Sequence, residues 1–175
     1  IPGLIDIHFH GCMGEDFCDG TMQAVETPAR WEAQQGITAI CPATLTLPVE
    51  ELRHVLETGA AFAGRAREPQ LADLIGINME GPFISHVKKG AQNGAWLHAP
   101  DAAMLRRLKE ASQGLVKLVA VAPELPGALD FIRAVKDEVT VSIAHTDADY
   151  DKALAAFQAG AKEVTHLFNA MNPFL

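Results

Sequence analysis

The sequence predicts a parallel α/β fold of the (β/α)8 TIM-barrel type that is incomplete, with about six βα units present. Apolar runs typical of buried strands alternate with segments of helical periodicity along the whole chain. Polar side chains able to bind a metal ion stand where several of these runs end. Because strands that alternate with helices form a parallel sheet, we expect these side chains to meet at the carboxyl edge of that sheet.

The predicted strands are short runs of apolar and β-branched residues bounded by Gly, Pro or polar residues. The runs are nearly continuous because both faces of a parallel sheet are covered. They are residues 4–9, 37–44, 72–80, 115–122, 139–144 and 164–167.

Helices are predicted between these strands from their start and stop signals. Thr27 and Pro28 suit the N-cap and the first position of a helix that stops at Gly36. A second helix follows Pro48. The remaining helices are predicted at residues 101–112, 126–137 and 149–159.

Six βα units are too few to close an eight-stranded barrel, so an open doubly wound sheet is an alternative architecture. The chain starts at Ile1 without a Met and stops soon after its last predicted strand, which favours the incomplete barrel. An incomplete barrel exposes strand edges and apolar surface, so we expect a further segment or a partner to cover them.

The composition is typical of a globular protein. The 175 residues are 49% hydrophobic and carry a net charge of −8, with no basic stripe, so nucleic acid is not an expected partner. No apolar run approaches the length of a membrane span, and no membrane partner is expected.

Three cysteines without a framework spacing indicate a reducing compartment, and a cytoplasmic location is therefore expected.

The ends of the predicted strands carry five candidate metal ligands. His8 and His10 are two residues apart on the first strand, so their side chains share a face. Glu80 ends the third strand, where a buried carboxylate is costly unless it is paired or binds a metal. His145 and His166 end the fifth and sixth strands. Each residue alone has an ordinary explanation as a hydrogen-bonded or exposed side chain, but their recurrence at strand ends favours a metal site.

The motifs around these residues resemble a known family. Residues 2–11 (Pro-Gly-Leu-Ile-Asp-Ile-His-Phe-His-Gly) are similar to the opening of the amidohydrolase superfamily barrel. Residues 79–83 (Met-Glu-Gly-Pro-Phe), 88–91 (Lys-Lys-Gly-Ala) and 165–171 (Thr-His-Leu-Phe-Asn-Ala-Met) resemble, more narrowly, the N-acetylglucosamine-6-phosphate deacetylases. The shorter motifs at residues 122–124 and 144–146 agree with this resemblance, which covers nearly the whole chain.

The resemblance implies metal-dependent hydrolysis of the acetamide of N-acetylglucosamine 6-phosphate to glucosamine 6-phosphate and acetate. It implies that Glu80, His145 and His166 bind the principal divalent metal ion. His8 and His10 could hold a second ion. Zinc is the metal expected first, with iron, cobalt and manganese as alternatives.

The resemblance also implies which residues contact the phosphorylated amino sugar. Asn169 and Ala170 would contact the sugar phosphate, Ala170 through its backbone. Gln92 and Asn93 would belong to a loop on the substrate side, where many members of the family carry His at the position of Gln92. The full-length protein is expected to form a homodimer.

The resemblance places the catalytic aspartate on the eighth barrel strand, beyond Leu175. Residues 1–175 are therefore expected to be a partial metal-dependent hydrolase barrel domain without the C-terminal strands and the N-terminal β domain of the family. Little or no deacetylase activity is expected of this chain alone. Two alternatives stay open: another amidohydrolase, such as a cyclic-amide hydrolase or a deaminase, and a non-catalytic truncated metal-binding domain.

Overall fold

Strands and helices alternate through residues 2–173, the part of the chain that the computed structural model describes. The strands are Leu4–Asp6 (β1), Gly11–Cys12 (β2), Glu15–Asp16 (β3), Ile37–Ile40 (β4), Asp73–Leu74 (β5), Ile77–Met79 (β6), Val116–Val121 (β7), Thr140–Ile143 (β8) and Glu163–Val164 (β9). The α-helices are Met22–Gln34 (α1), Val49–Ala63 (α2), Ala102–Ala111 (α3), Ala128–Val135 (α4) and Tyr150–Ala159 (α5). None of the helices in residues 2–173 has both the length and the apolar character needed to cross a membrane.

The described chain divides into two compact units. The first comprises residues 2–44, 48–78 and 107–116, and the second comprises residues 45–47, 79–106 and 117–173.

The first unit contains a parallel sheet with the strand order β1-β4-β5. Asp6 pairs with Ile40 across β1 and β4, and Ile40 pairs with Leu74 across β4 and β5. The apolar faces of α1 and α2 supply many of the buried side chains of this unit, among them Val25, Leu52 and Leu56. An antiparallel hairpin of β2 and β3, which was not among the predicted strands, follows β1.

The first predicted strand is shorter than expected. It was predicted to continue to Phe9, but β1 ends at Asp6. The Asp6 carboxylate accepts a hydrogen bond from the backbone N–H of His8 at 2.9 Å. This local bond competes with the strand ladder and turns the chain, so His8 and His10 lie after the strand and not within it.

The predicted start of the first helix is wrong. The helix α1 begins at Met22, with Thr21 as its N-cap, and Pro28 lies inside it. The side-chain oxygen of Thr21 accepts a hydrogen bond from the backbone N–H of Ala24, a bond that satisfies one of the free N–H groups of the first turn. The predicted stop is correct, since Gly36 follows the helix with a φ of 87°.

The second predicted strand ends before Pro42, and the third predicted strand is interrupted in its middle. Proline has no N–H to donate to a ladder, and β4 therefore ends at Ile40 instead of continuing to Thr44. The third predicted strand is divided into β5 and β6. Pairing resumes beyond Pro42 at an isolated parallel bridge between Ala43 and Asn78.

The second sheet has the strand order β6-β7-β8-β9, with β7, β8 and β9 parallel. Its centre is apolar because Val119 pairs with Val141, and both side chains are buried. The rings of Phe83 and Phe131 pack at a centroid distance of 5.0 Å.

The last predicted strand also ends early. It was expected at residues 164–167, whereas β9 is Glu163–Val164. His166 adopts a φ of 33°, which is incompatible with an extended strand. The prediction of a parallel α/β fold is confirmed, because β1, β4 and β5 pair in parallel in one sheet and β7, β8 and β9 pair in parallel in another.

Candidate metal centre

Three of the predicted ligands lie together in the second unit. Glu80 follows β6, His145 follows β8 and His166 follows β9, so the carboxyl ends of three strands supply them. Glu80 Oε1 is 3.2 Å from His145 Nε2 and 2.9 Å from His166 Nε2. The two Nε2 atoms are 3.2 Å apart. We call Glu80, His145 and His166 the strand-end cluster.

Backbone carbonyl groups orient both imidazole rings of the cluster. His145 Nδ1 is 2.9 Å from the carbonyl oxygen of Lys88, and His166 Nδ1 is 3.1 Å from that of Asn169. A carbonyl oxygen only accepts, so Nδ1 of each ring carries the proton. A neutral ring then presents a lone pair at Nε2, and this is the tautomer that a metal ion requires from such a ligand.

The donor set of the cluster fits a divalent cation. With both Nδ1 atoms protonated, the two Nε2 lone pairs and the Glu80 carboxylate are all acceptors. Three acceptors within 3.2 Å of one another repel unless a proton or a cation lies among them. A proton on one ring can satisfy one pair of these atoms, whereas a cation can satisfy all three. Nitrogen and oxygen ligands of this kind suit zinc and the other expected metals.

The backbone is strained at both histidines. His145 has a φ of 45° and His166 a φ of 33°, values that non-glycine residues rarely adopt. Such conformations cost roughly 1–3 kcal/mol and persist where the surrounding contacts impose them. One such contact is the hydrogen bond from Ser85 N–H to the carbonyl oxygen of His145 at 2.9 Å. The strain indicates that the position of these rings matters more than the local stability of the backbone.

Glu80 is held on its other side by Gln92. The Glu80 side chain is buried, and its Oε2 atom accepts a hydrogen bond from Gln92 Nε2 at 2.8 Å. Gln92 Oε1 accepts a hydrogen bond from the backbone N–H of Thr46 at 2.5 Å. The amide of Gln92 therefore contacts protein groups at both ends, and its predicted contact with a substrate stays a prediction.

The predicted second pair of ligands lies in the first unit. The rings of His8 and His10 have centroids 5.5 Å apart and are close to perpendicular. His8 Nδ1 is 3.2 Å from Asn78 Nδ2, and His10 Nδ1 is 3.2 Å from the carbonyl oxygen of Ala43. The two rings are thus close to each other, and their role as ligands of a second ion stays a prediction.

The other predicted substrate residues lie in exposed or strained loops of the second unit. The side chain of Asn93 accepts a hydrogen bond from Ala95 N–H at 3.0 Å. Asn169 is exposed, and its carbonyl oxygen orients His166. Ala170 has a φ of 52°, and its carbonyl oxygen accepts a hydrogen bond from Thr146 N–H at 3.1 Å.

The carboxylates after β7 and β8 have structural contacts of their own. Asp149 caps α5, and Asp147 forms an ion pair with Lys88 at 3.4 Å. Glu124 accepts hydrogen bonds from the hydroxyl of Thr146 and from the backbone N–H of Asp147, and it thereby anchors the loop after His145.

Two residues that support this site were not identified from the sequence. Glu124 belongs to an Ala-Pro-Glu motif directly after β7, and its position at a strand end was the available signal. Thr46 contributes only a backbone N–H, and side-chain identity gives no signal for such a contact.

Comparison with known proteins finds relatives of the same kind by sequence and by structure. The chain matches the amidohydrolase family over residues 1–174. It is 35% identical to an N-acetylglucosamine-6-phosphate deacetylase of Bacillus subtilis, over 99% of this chain and 44% of the relative. The corresponding protein of Bos taurus is 37% identical, over 99% of this chain and 43% of the relative. The chain therefore spans less than half the length of these relatives.

Solved structures agree with these matches. A deacetylase mutant from Mycobacterium smegmatis in complex with N-acetyl-D-glucosamine-6-phosphate has a TM-score of 0.90 and 33% identity, over 99% of this chain and 44% of that protein. A deacetylase from Thermotoga maritima has a TM-score of 0.84 and 25% identity, over 100% of this chain and 46% of that protein. The predicted fold class, an incomplete α/β barrel of the TIM type, is thus confirmed. The chain belongs to the amidohydrolase family, whose members generally depend on divalent metal ions.

Proposed function

We propose that this chain is the metal-binding part of an enzyme that hydrolyses the acetamide of N-acetylglucosamine 6-phosphate, releasing glucosamine 6-phosphate and acetate. The observation that supports this most is the convergence of Glu80 Oε1 with the Nε2 atoms of His145 and His166. The relatives named N-acetylglucosamine-6-phosphate deacetylase point to the same reaction and to a phosphorylated amino sugar as its substrate.

Glu80, His145 and His166 would hold one divalent ion, with zinc expected first. His8 and His10 are the candidate ligands of a second. When bound, such an ion lowers the pKa of a water molecule towards neutrality and polarises the amide carbonyl. The chain's own part is to keep both imidazoles in the Nδ1-protonated tautomer through the carbonyl oxygens of Lys88 and Asn169.

Substrate contacts are proposed for the loops that border the cluster. Asn169 and Ala170 lie three and four residues after His166 in the chain, so a sugar phosphate bound by them would lie near the cluster. Asn93 lies one residue after Gln92, whose amide contacts Glu80. No proton-transferring carboxylate is assigned within residues 2–173, because Glu124, Asp147 and Asp149 are engaged in structural contacts.

The experiment that tests the proposed function compares two proteins. The first is the chain of 175 residues alone. The second is a chimera in which the remaining length comes from the Bacillus subtilis relative. Acetate release is measured from N-acetylglucosamine 6-phosphate and from unphosphorylated N-acetylglucosamine, and ring opening is measured for a cyclic amide.

We expect the chimera to prefer the phosphorylated sugar and the chain alone to show little or no turnover. A chimera that folds by circular dichroism and hydrolyses only the cyclic amide would identify a different amidohydrolase. A folded chimera with no activity on any of the three would support a non-catalytic metal-binding domain. Rapid acetate release by the chain alone would contradict the expectation that these 175 residues by themselves have little or no deacetylase activity.

A further inference from the structure

Gln92 is a buried polar residue in an otherwise exposed segment. The residue is only 3% exposed, whereas its neighbours Ala91 and Asn93 are exposed. A buried amide is costly unless its donor and acceptor are both satisfied. Both are satisfied within the second unit, by Glu80 and by the backbone of Thr46.

The orientation of this amide is determined by the chemistry of its two partners. The backbone N–H of Thr46 can only donate, so it requires the oxygen of the amide. The Glu80 carboxylate accepts, so it requires the amide nitrogen. A half-turn of the amide would place donor against donor and acceptor against acceptor, and only one orientation is therefore stable.

This orientation makes the two oxygens of Glu80 inequivalent. Oε2 is held by Gln92 at 2.8 Å, while Oε1 faces His145 Nε2 and His166 Nε2. We propose that Gln92 is a positioning residue that binds Oε2 of Glu80 and so presents Oε1 alone to the metal ion. This inference rests on the proposed metal site and adds to it a residue that limits Glu80 to binding through one oxygen.

The turn that carries Gln92 also supports His145. The N–H of Gln92 donates to the carbonyl oxygen of Lys89 at 3.0 Å, and Lys89 Nζ donates to the carbonyl oxygen of Gln92 at 3.2 Å. The preceding residue, Lys88, accepts from His145 Nδ1 at 2.9 Å. At Gly90 an added Cβ would lie 3.4 Å from the ring of His145 and φ is 57°, so glycine suits this close approach. One short turn thus fixes the orientation of two of the three proposed ligands.

The test measures the zinc affinity of the chain by competition with a chromogenic chelator. Gln92→Met keeps the length of the side chain and removes the donor. Gln92→His keeps a ring N–H that can donate to the carboxylate. Gln70→Met is the matched control, because Gln70 Nε2 also donates to a carboxylate, that of Glu68, at 2.8 Å, but at an exposed position of the first unit.

We expect Gln92→Met to weaken zinc binding roughly ten- to one-hundred-fold, the usual effect of removing a group that orients a metal ligand. Gln92→His is expected to lose less affinity than Gln92→Met, and the control is expected to bind like the wild type. X-ray absorption at the zinc edge is expected to show an additional oxygen neighbour in Gln92→Met, because Oε2 is then released. Gln92→Ala replaces the methionine variant if circular dichroism shows that the latter does not fold.

The outcomes separate this inference from the proposals on which it rests. If the wild type and Gln92→Met bind zinc equally tightly, the positioning role is refuted and the metal site stands. If the wild type binds no zinc, both are refuted. Acetate release is not measured in this experiment, so a failure of the proposed deacetylase reaction leaves its result unaffected.

Discussion

The two histidines of the strand-end cluster differ from ordinary buried histidines in the partners of their ring nitrogens. Each Nδ1 faces a backbone carbonyl oxygen, and each Nε2 faces Glu80 Oε1. The sequence could predict that Glu80, His145 and His166 meet, because each follows an apolar strand. It could not predict the carbonyl partners, Lys88 and Asn169, because any residue type offers a backbone carbonyl.

Glu32 is a buried carboxyl group that the proposed reaction does not use. It lies on α1 in the first unit with 4% of its surface exposed. Burial raises the pKa of Glu32, and the nearby Asp6 carboxylate raises it further. The folded protein therefore keeps this proton to a higher pH than the unfolded chain does, and stability falls as the pH rises above the ordinary carboxyl pKa of 4.5.

Replacing Glu32 by Gln removes this pH-dependent loss. We expect Glu32→Gln to match the wild type near pH 4 and to be more stable than the wild type at pH 7, since the buried charge is then absent. Urea unfolding followed by circular dichroism at both pH values measures the difference. Glu110→Gln, at an exposed position of α3, is the control, and equal pH dependence in both variants would contradict the prediction.

At the level of elements, the sequence located the helices and strands better than it located their ends. The strand ends at Ile40 and Val164 could not be predicted from hydrophobic periodicity, because Pro42 and the backbone conformation of His166 determine them. The start of α1 was misplaced because Thr27 and Pro28 form a typical start signal, while the true cap is Thr21. Two competing signals of the same kind lie six residues apart, and only packing against the rest of the unit selects one.

The position of the α1 cap can be tested by two matched substitutions. Thr21→Ala removes the side-chain acceptor of Ala24 N–H and is expected to cost about 1 kcal/mol of the free energy of unfolding. Thr27→Ala lies in the helix interior, where alanine is favoured, and is expected to leave stability unchanged or slightly raised. Urea unfolding distinguishes the two, and a larger loss for Thr27→Ala would place the helix start where the sequence alone suggested.

At the level of the whole molecule, the chain corresponds to less than half of each deacetylase that it resembles. Its parallel sheets and its family were predictable from strand-end motifs, because these motifs combine a local strand pattern with specific polar residues. In the proposed site, Glu80, His145 and His166 supply the metal ligands. No acid–base carboxylate is assigned within residues 2–173.

The central claim is that the strand-end cluster binds a divalent metal ion, and its most direct test is zinc binding by the chain of 175 residues. The zinc affinity and stoichiometry of the wild type are compared with those of Glu80→Gln, His145→Ala and His166→Ala by isothermal titration calorimetry. His54→Ala, at an exposed helix position of the first unit, is the control.

The account predicts that the wild type and the control bind zinc alike, and that each of the three cluster variants loses at least about ten-fold in affinity, because each removes one ligand. Circular dichroism confirms that the variants are folded. Zinc binding that is unchanged in all three folded variants, or absent from the wild type, would contradict it.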